Sequence, residues 1–168
     1  MFLLSFSIYA ESDKLFLLIK NGDIESIKES LAKGASIHAR DRHGFTPLMT
    51  AARLGNFPIV KLLLENGARV NELDISNYTP LHLASYNGHV DVVKYLLENK
   101  ALVDPKDHNK NTPLLLASNR GHFEVVKLLV YYKANINAKD SNGFSVINEA
   151  KSRNHYEIVS YLNSIGAR

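Results

Sequence analysis

The sequence predicts an all-α fold, a solenoid of stacked two-helix units, and three observations predict it. Asp41, Asp74, Asp107 and Asp140 recur at a step of 33 residues. Thr46-Pro47-Leu48, Thr79-Pro80-Leu81 and Thr112-Pro113-Leu114 keep that step, and the fourth copy reads Ser145-Val146-Ile147. Every copy then closes on an apolar stretch: Ile59-Val60-Lys61-Leu62-Leu63, Val92-Val93-Lys94-Tyr95-Leu96, Val125-Val126-Lys127-Leu128-Leu129 and Ile158-Val159-Ser160-Tyr161-Leu162. A period of this length marks stacked supersecondary units, none of which can bury its apolar face alone.

Five units make up a single domain over residues 11–168, with boundaries near 11–40, 41–73, 74–106, 107–139 and 140–168. The first lacks the Thr-Pro signature. Its Ser12-Asp13-Lys14 reads as a helix cap, Asn21-Gly22-Asp23 as its turn, and Leu15, Leu18, Ile24, Ile27 and Leu31 as its apolar face. In the next three units Thr46, Thr79 and Thr112 stand where a hydroxyl accepts from free helix amides. The proline after each takes the first helical position, where its missing N–H costs nothing. Ala51, Ala84, Ala117 and Ala150 let neighbouring helices approach closely. Gly55, Gly88 and Gly121 end the first helices at a site that favours positive φ, with Asn154 as the next best residue. Val92, Val93, Leu96 and Leu97 form one broad apolar face on the second helix. The last unit is more polar, at Asn148, Glu149, Lys151, Ser160 and Asn163, as a terminal cap requires.

Tyr78 to Lys94, YTPLHLASYNGHVDVVK, resembles the ankyrin repeat almost throughout, and the resemblance extends over about residues 13–168. It implies a solenoid of helix–turn–helix units joined by β-hairpin loops, a protein-binding scaffold whose usual contact surface is the concave face of hairpin tips and first helices. The pattern has departures. Lys110 stands where Gly44 and Gly143 stand, with Asn77 in the same slot; Lys100 and Lys133 replace the glycine seen at Gly34, Gly67 and Gly166. Pro105 aligns with Glu72 and Ala138. The junction between the third and fourth units is therefore expected to be irregular, a reshaped contact loop or drift in a stable array.

Composition narrows the functions. Lys and Arg number 20 against 17 Asp and Glu, a net charge of only +3, and there is no cysteine to supply disulfides, thiolate catalysis or a thiolate zinc site. No apolar run reaches the ~18–20 residues of a spanning helix. Met1–Ala10 is uncharged and mostly apolar. It reads either as the remnant of a secretory signal peptide or as an apolar strand or turn covering the end of the fold. The first reading places the protein in the periplasm or outside the cell, the second in the cytoplasm.

No phosphate loop, nucleophile elbow or His-Glu-x-x-His helix is present, so no catalytic residue and no cofactor is expected. His89, His122 and His155 fall at one position per unit. Neighbouring helices pack ~8–10 Å apart, whereas zinc needs ligands converging at ~2 Å, so the row reads as structural. His82 reads likewise at the Thr-Pro-Leu-His position, and no metal is expected.

The positions that vary between units point to the binding surface. Just after the turn stand Phe45, Tyr78, Asn111 and Phe144. Near the end of the first helix come Arg53 and Leu54, Tyr86, Arg120 and Arg153, and the tips add Arg42, His43, Ile75, His108 and Asn109. Aromatics and arginines on such a ladder are hot-spot chemistry. The expected partner is a protein presenting acidic and apolar groups, bound by a monomer. Nucleic acid or another polyanion on a basic groove is the alternative, disfavoured because Glu65, Asp91, Glu98 and Glu124 alternate with the basic residues. A small-molecule substrate is not expected.

Overall fold

The computed structural model describes residues 2–168, with side chains from Glu11 onward. Ten helices run in pairs: α1 (Phe2–Asn21) with α2 (Ile24–Ala32), α3 (Pro47–Leu54) with α4 (Phe57–Glu65), α5 (Pro80–Asn87) with α6 (Val90–Glu98), α7 (Pro113–Arg120) with α8 (Phe123–Tyr131), and α9 (Val146–Ser152) with α10 (Tyr156–Ser164). The first helices of successive units pack closely on one another, and the second helices form a looser row behind them. Between the layers lies one continuous core, with Leu48, Leu81 and Leu114 from the first row and Ile59, Leu63, Leu96 and Leu129 from the second fully buried.

The local chemistry follows the repeat. The Thr46, Thr79 and Thr112 hydroxyls accept from the Met49, His82 and Leu115 amides at 3.2, 3.3 and 3.3 Å. Such a cap is worth about 1 kcal/mol. Gly55, Gly88 and Gly121 adopt φ of 73°, 79° and 80°, and Asn154 takes 62° at the fourth site. Each of these glycines also lies under the histidine of the following unit: a Cβ on Gly55, Gly88 or Gly121 would meet the His89, His122 or His155 ring at 2.4, 2.6 or 2.5 Å. The three Nε2 atoms contact the Arg53, Tyr86 and Asn119 carbonyls at 3.0, 2.9 and 3.0 Å. The histidine row therefore staples units three, four and five each to the one before it.

Two expectations for the N-terminal segment need correction. The first helix is not capped at Ser12-Asp13-Lys14, because α1 starts at Phe2 and runs through that point. Ser12 is instead buried, and its hydroxyl accepts from the Ser36 amide at 3.3 Å. Residues 2–10 are thus helix rather than strand or turn, while the signal-peptide reading of Met1–Ala10 concerns side chains outside the described residues.

The β-hairpins carry no ladder. Among the described residues the only β-bridge joins Lys139 and Ser145. Each tip is closed by two backbone bonds, such as Asp74 N–H to the Tyr78 carbonyl at 3.0 Å and Asn77 N–H to the Asp74 carbonyl at 3.1 Å, and by the aspartate carboxylate. Asp74 Oδ1 accepts from the Ser76 and Tyr78 amides at 2.8 and 2.7 Å, and Asp41, Asp107 and Asp140 repeat the arrangement. Successive tips are joined by His108 N–H to the Ser76 carbonyl at 3.2 Å and Ser141 N–H to the Asn109 carbonyl at 2.8 Å.

The junction of units three and four is irregular only at Pro105. Lys110 adopts φ 60° and keeps the tip bond to the Asp107 carbonyl at 3.0 Å, as Gly44 does to Asp41 at 2.9 Å. Pro105 has no N–H to offer where Ala39 and Ala138 donate to Ser36 and Asn135. The Asp104 carboxylate takes up the exposed edge by accepting from the Asn135 amide at 3.0 Å.

Candidate functional site

The repeat sets each variable side chain on the tips or at the end of a first helix, so the ladder read from sequence becomes one face of the stack. Its members divide into those held by the fold and those left facing solvent. Tyr78 and Asn111 are held. The Tyr78 ring lies half-buried and edge-on to His82, with centroids 5.3 Å apart. Burial, reinforced by the charge of Asp107, pushes its phenol up to about 12. Asn111 donates its side-chain amide to Asp107 at 2.9 Å, and its carbonyl takes a bond from His82.

The tautomer of His82 follows from its partners. Thr79 N–H donates to Nδ1 at 3.1 Å, so the ring proton sits on Nε2 and donates to the Asn111 carbonyl at 3.1 Å. Burial holds the imidazole pKa below its usual value, against the opposing pull of the Asn111 bond and of Asp107. His82 is a neutral strut between two tips.

Two arginine–aromatic pairs lie on this face, with Phe45 half-buried and Arg53, Tyr86 and Arg120 exposed. The Arg53 guanidinium lies 5.4 Å from the Phe45 ring centroid, within one unit. The Arg120 guanidinium lies 4.7 Å from the Tyr86 centroid, across the boundary between units three and four. Such contacts orient a cation over a ring while leaving its outer N–H groups free to donate. Leu54, Ile75 and Phe144 are exposed, Ile75 to 66%. Arg42 donates to His43 Nε2 at 3.0 Å at the first tip. Side chains of His108, Asn109 and Arg153 point into solvent with no side-chain hydrogen bond among the described residues.

At the N-terminal end the face deepens into an open cleft of 720 Å³. The tip and α3 contribute Arg40, Asp41, Arg42, His43, Phe45 and Arg53, and α1 contributes Asp13, Phe16 and Lys20. The Asp41 carboxylate is occupied by the backbone amides of His43 and Phe45. Arg40 is clasped by Glu72 and by the Gly44 and Leu73 carbonyls. Lys20, Arg42 and Arg53 form no ion pair among the described residues. Three uncommitted cations therefore rim a cleft that holds one uncommitted carboxylate, Asp13.

Sequence reasoning missed the α1 side of this cleft, because the first unit lacks the signature that fixes register. It also missed the Arg40–Glu72 clasp, since Glu72 has no acidic counterpart at Ala39, Pro105 or Ala138. Among the described residues no three His, Asp or Glu side chains gather as a metal site, and no helix is long and apolar enough to cross a membrane. In comparison with known families, the model described as ankyrin repeats (3 copies) matches residues 15–107 and again residues 99–168. No curated protein matches the chain.

Proposed function

Because the chain belongs to the ankyrin-repeat family, whose repeats serve generally as non-enzymatic protein–protein interaction modules, we propose that it binds a partner protein along the face of tips and first helices. The observation that carries this reading is the pairing of exposed cation with aromatic surface. Arg53 over Phe45, Arg120 over Tyr86 and the Lys20–Arg42–Arg53 rim present charge and apolar area side by side. A segment bearing carboxylates beside leucine- or phenylalanine-like side chains fits both. Guanidinium–carboxylate bonds are directional and bidentate, and the rings supply area at low entropic cost.

Arg53, Arg120, Phe45, Phe144 and Tyr86 carry the binding on this reading, while Tyr78 and Asn111 hold the tips that position them. The test is affinity capture from lysate of the source organism, comparing wild type with an Arg53→Ala, Arg120→Ala, Phe144→Ala variant of unchanged helicity. A protein retained by wild type and lost from the variant supports the assignment. Equal retention by both removes the site from this face. Retention of nucleic acid with a steep loss at higher salt is the signature of counterion release, and overturns a protein partner in favour of a polyanion.

A further inference from the structure

The second-helix layer carries a surface that the groove does not use. In units two and three Lys61 pairs with Glu65 at 3.8 Å and Lys94 with Glu98 at 4.0 Å, one turn along the same helix. The next residue, Asn66 or Asn99, donates its side-chain amide to the Leu62 or Tyr95 carbonyl at 2.8 Å and closes the helix end. Unit four keeps the lysine, Lys127, but places Tyr131 and Tyr132 at the following two positions. Lys127 turns back to Glu124 at 2.6 Å and lies 4.8 Å over the Phe123 ring. Both tyrosines thus displace a local stabilising contact that the neighbouring units keep.

What they provide instead faces outward. Tyr131 is 75% exposed and stands edge-to-face with Tyr132 at 5.4 Å. Beside them lies an open hollow of 640 Å³ lined by Lys127, Val130, Tyr131, Tyr132, Lys133 and Tyr161. The α4–α6 seam offers an internal comparison. There Phe57 and Tyr95 stack at 5.4 Å, as Phe123 and Tyr161 do at 5.6 Å on the α8–α10 seam. The hollow on that seam is only 240 Å³ and lies along α6, against Asp91, Lys94 and Glu98, rather than at a helix end. The hollow at the end of α8 is lined by two cations, Lys127, which Glu124 already pairs, and Lys133, which forms no ion pair among the described residues.

The geometry points to the α8–α10 face as a second docking surface, for an acidic segment of a partner protein. Carboxylates of that segment accept from the Lys133 ammonium group and compete with Glu124 for that of Lys127, the phenol O–H groups donate to its carbonyls, and an apolar side chain lies on the Tyr131 and Tyr132 rings. With the tip face engaged on the other layer, the protein is a bridge between two binding partners.

A variant with Tyr131→Glu, Tyr132→Asn and Lys133→Gly tests this, because Glu65, Asn66 and Gly67 already occupy those positions in unit two and the fold accepts them. A phage-displayed library of random dodecapeptides is selected on the wild-type chain. Selected peptides enriched in Asp and Glu, with affinity falling at least tenfold on the triple variant and unchanged on Arg53→Ala, Arg120→Ala, support the proposal. The triple variant should melt no lower than wild type. Acidic peptides lost on the arginine variant but kept on the triple variant belong to the tip face and overturn it. So does selection without acid enrichment, or failure to select any peptide. Co-sedimentation with phosphatidylserine vesicles that the triple variant abolishes, in the absence of acidic peptides, assigns the patch to a membrane surface instead and equally overturns it.

Discussion

Replacing Gly88 by alanine should cost about 2–3 kcal/mol, and the sum has two separable parts. Gly88 sits at φ 79°, where an L side chain costs roughly 1–2 kcal/mol. The added Cβ would lie 2.6, 2.7 and 2.9 Å from Nδ1, Cε1 and Cγ of His122, so the whole ring has to swing away. That movement breaks the 2.9 Å contact of His122 Nε2 with the Tyr86 carbonyl, a loss of about 1 kcal/mol. Gly143 is the control. Its φ is 84°, yet a Cβ added there would meet no atom within 4 Å, so Gly143→Ala should show the backbone part alone, roughly 1–2 kcal/mol. Urea unfolding followed by helical circular dichroism reads the difference. With a slope of about 2 kcal/mol per molar, the two midpoints should separate by about 0.5 M at constant slope. His122→Ala added to Gly88→Ala should cost less than it does in wild type, since the ring's contact is already broken. Equal losses for Gly88→Ala and Gly143→Ala, with His122→Ala fully additive, would refute the stapling role of the histidine row.

Three further outcomes follow from local geometry. The Ser85 and Ser118 hydroxyls are buried without a hydrogen-bond partner in the structure, and Ala52 fills the same position in unit two. Ser85→Ala and Ser118→Ala should therefore be neutral to about 1 kcal/mol stabilising in thermal melts, and a clear loss would mean the hydroxyls are bonded in solution. Lys110→Asn places at φ 60° the residue that Asn77 already supplies at 63°, and should raise stability by about 0.5–1 kcal/mol; a fall would show that the lysine side chain holds the tip. His82 is buried neutral with its pKa below the usual 6.5, so the folded state binds fewer protons than the unfolded chain. Its contribution is complete above pH ~6.5 and is lost as pH falls below that value toward the folded pKa. His82→Leu, matching Leu115 in register, should flatten the urea midpoint against pH over that range, and an unchanged slope would place the acid sensitivity elsewhere.

Much of the fold was legible because the repeat imposes one chemistry three times and a close variant of it a fourth. A threonine, a proline and a glycine at fixed offsets each have a single physical use, and the structure puts them to it. The 33-residue aspartates were visible as a spacing, but their bonds to amides two and four residues on belong to tip geometry, which no pattern of hydrophobicity encodes. The first unit was the least legible part. Without the Thr-Pro signature nothing fixed its start, so Ser12 passed for a cap when it is a buried acceptor inside α1. Within the candidate site, Phe45 and Tyr78 look alike in sequence. Only the structure shows that the phenol of Tyr78 lies beside Asp107 while the Phe45 ring is left to Arg53.

The repeat also supplies a reference against which uncommitted groups stand out. Arg40 finds Glu72 across one period, but Lys106, one step beyond Leu73, finds only Ala138 at the corresponding place. Lys61 and Lys94 find glutamates one turn on, whereas Lys127 meets Tyr131 at that place and turns back to Glu124. In each case the backbone offers the same geometry, so the missing partner reflects the side chain alone and not a change of fold. Contacts reach only neighbouring units in a stack of this kind, so a substitution at the α8–α10 seam leaves the N-terminal cleft undisturbed. That separation is what allows the two surfaces to be tested independently: a variant that empties one should leave the affinity of the other as it was.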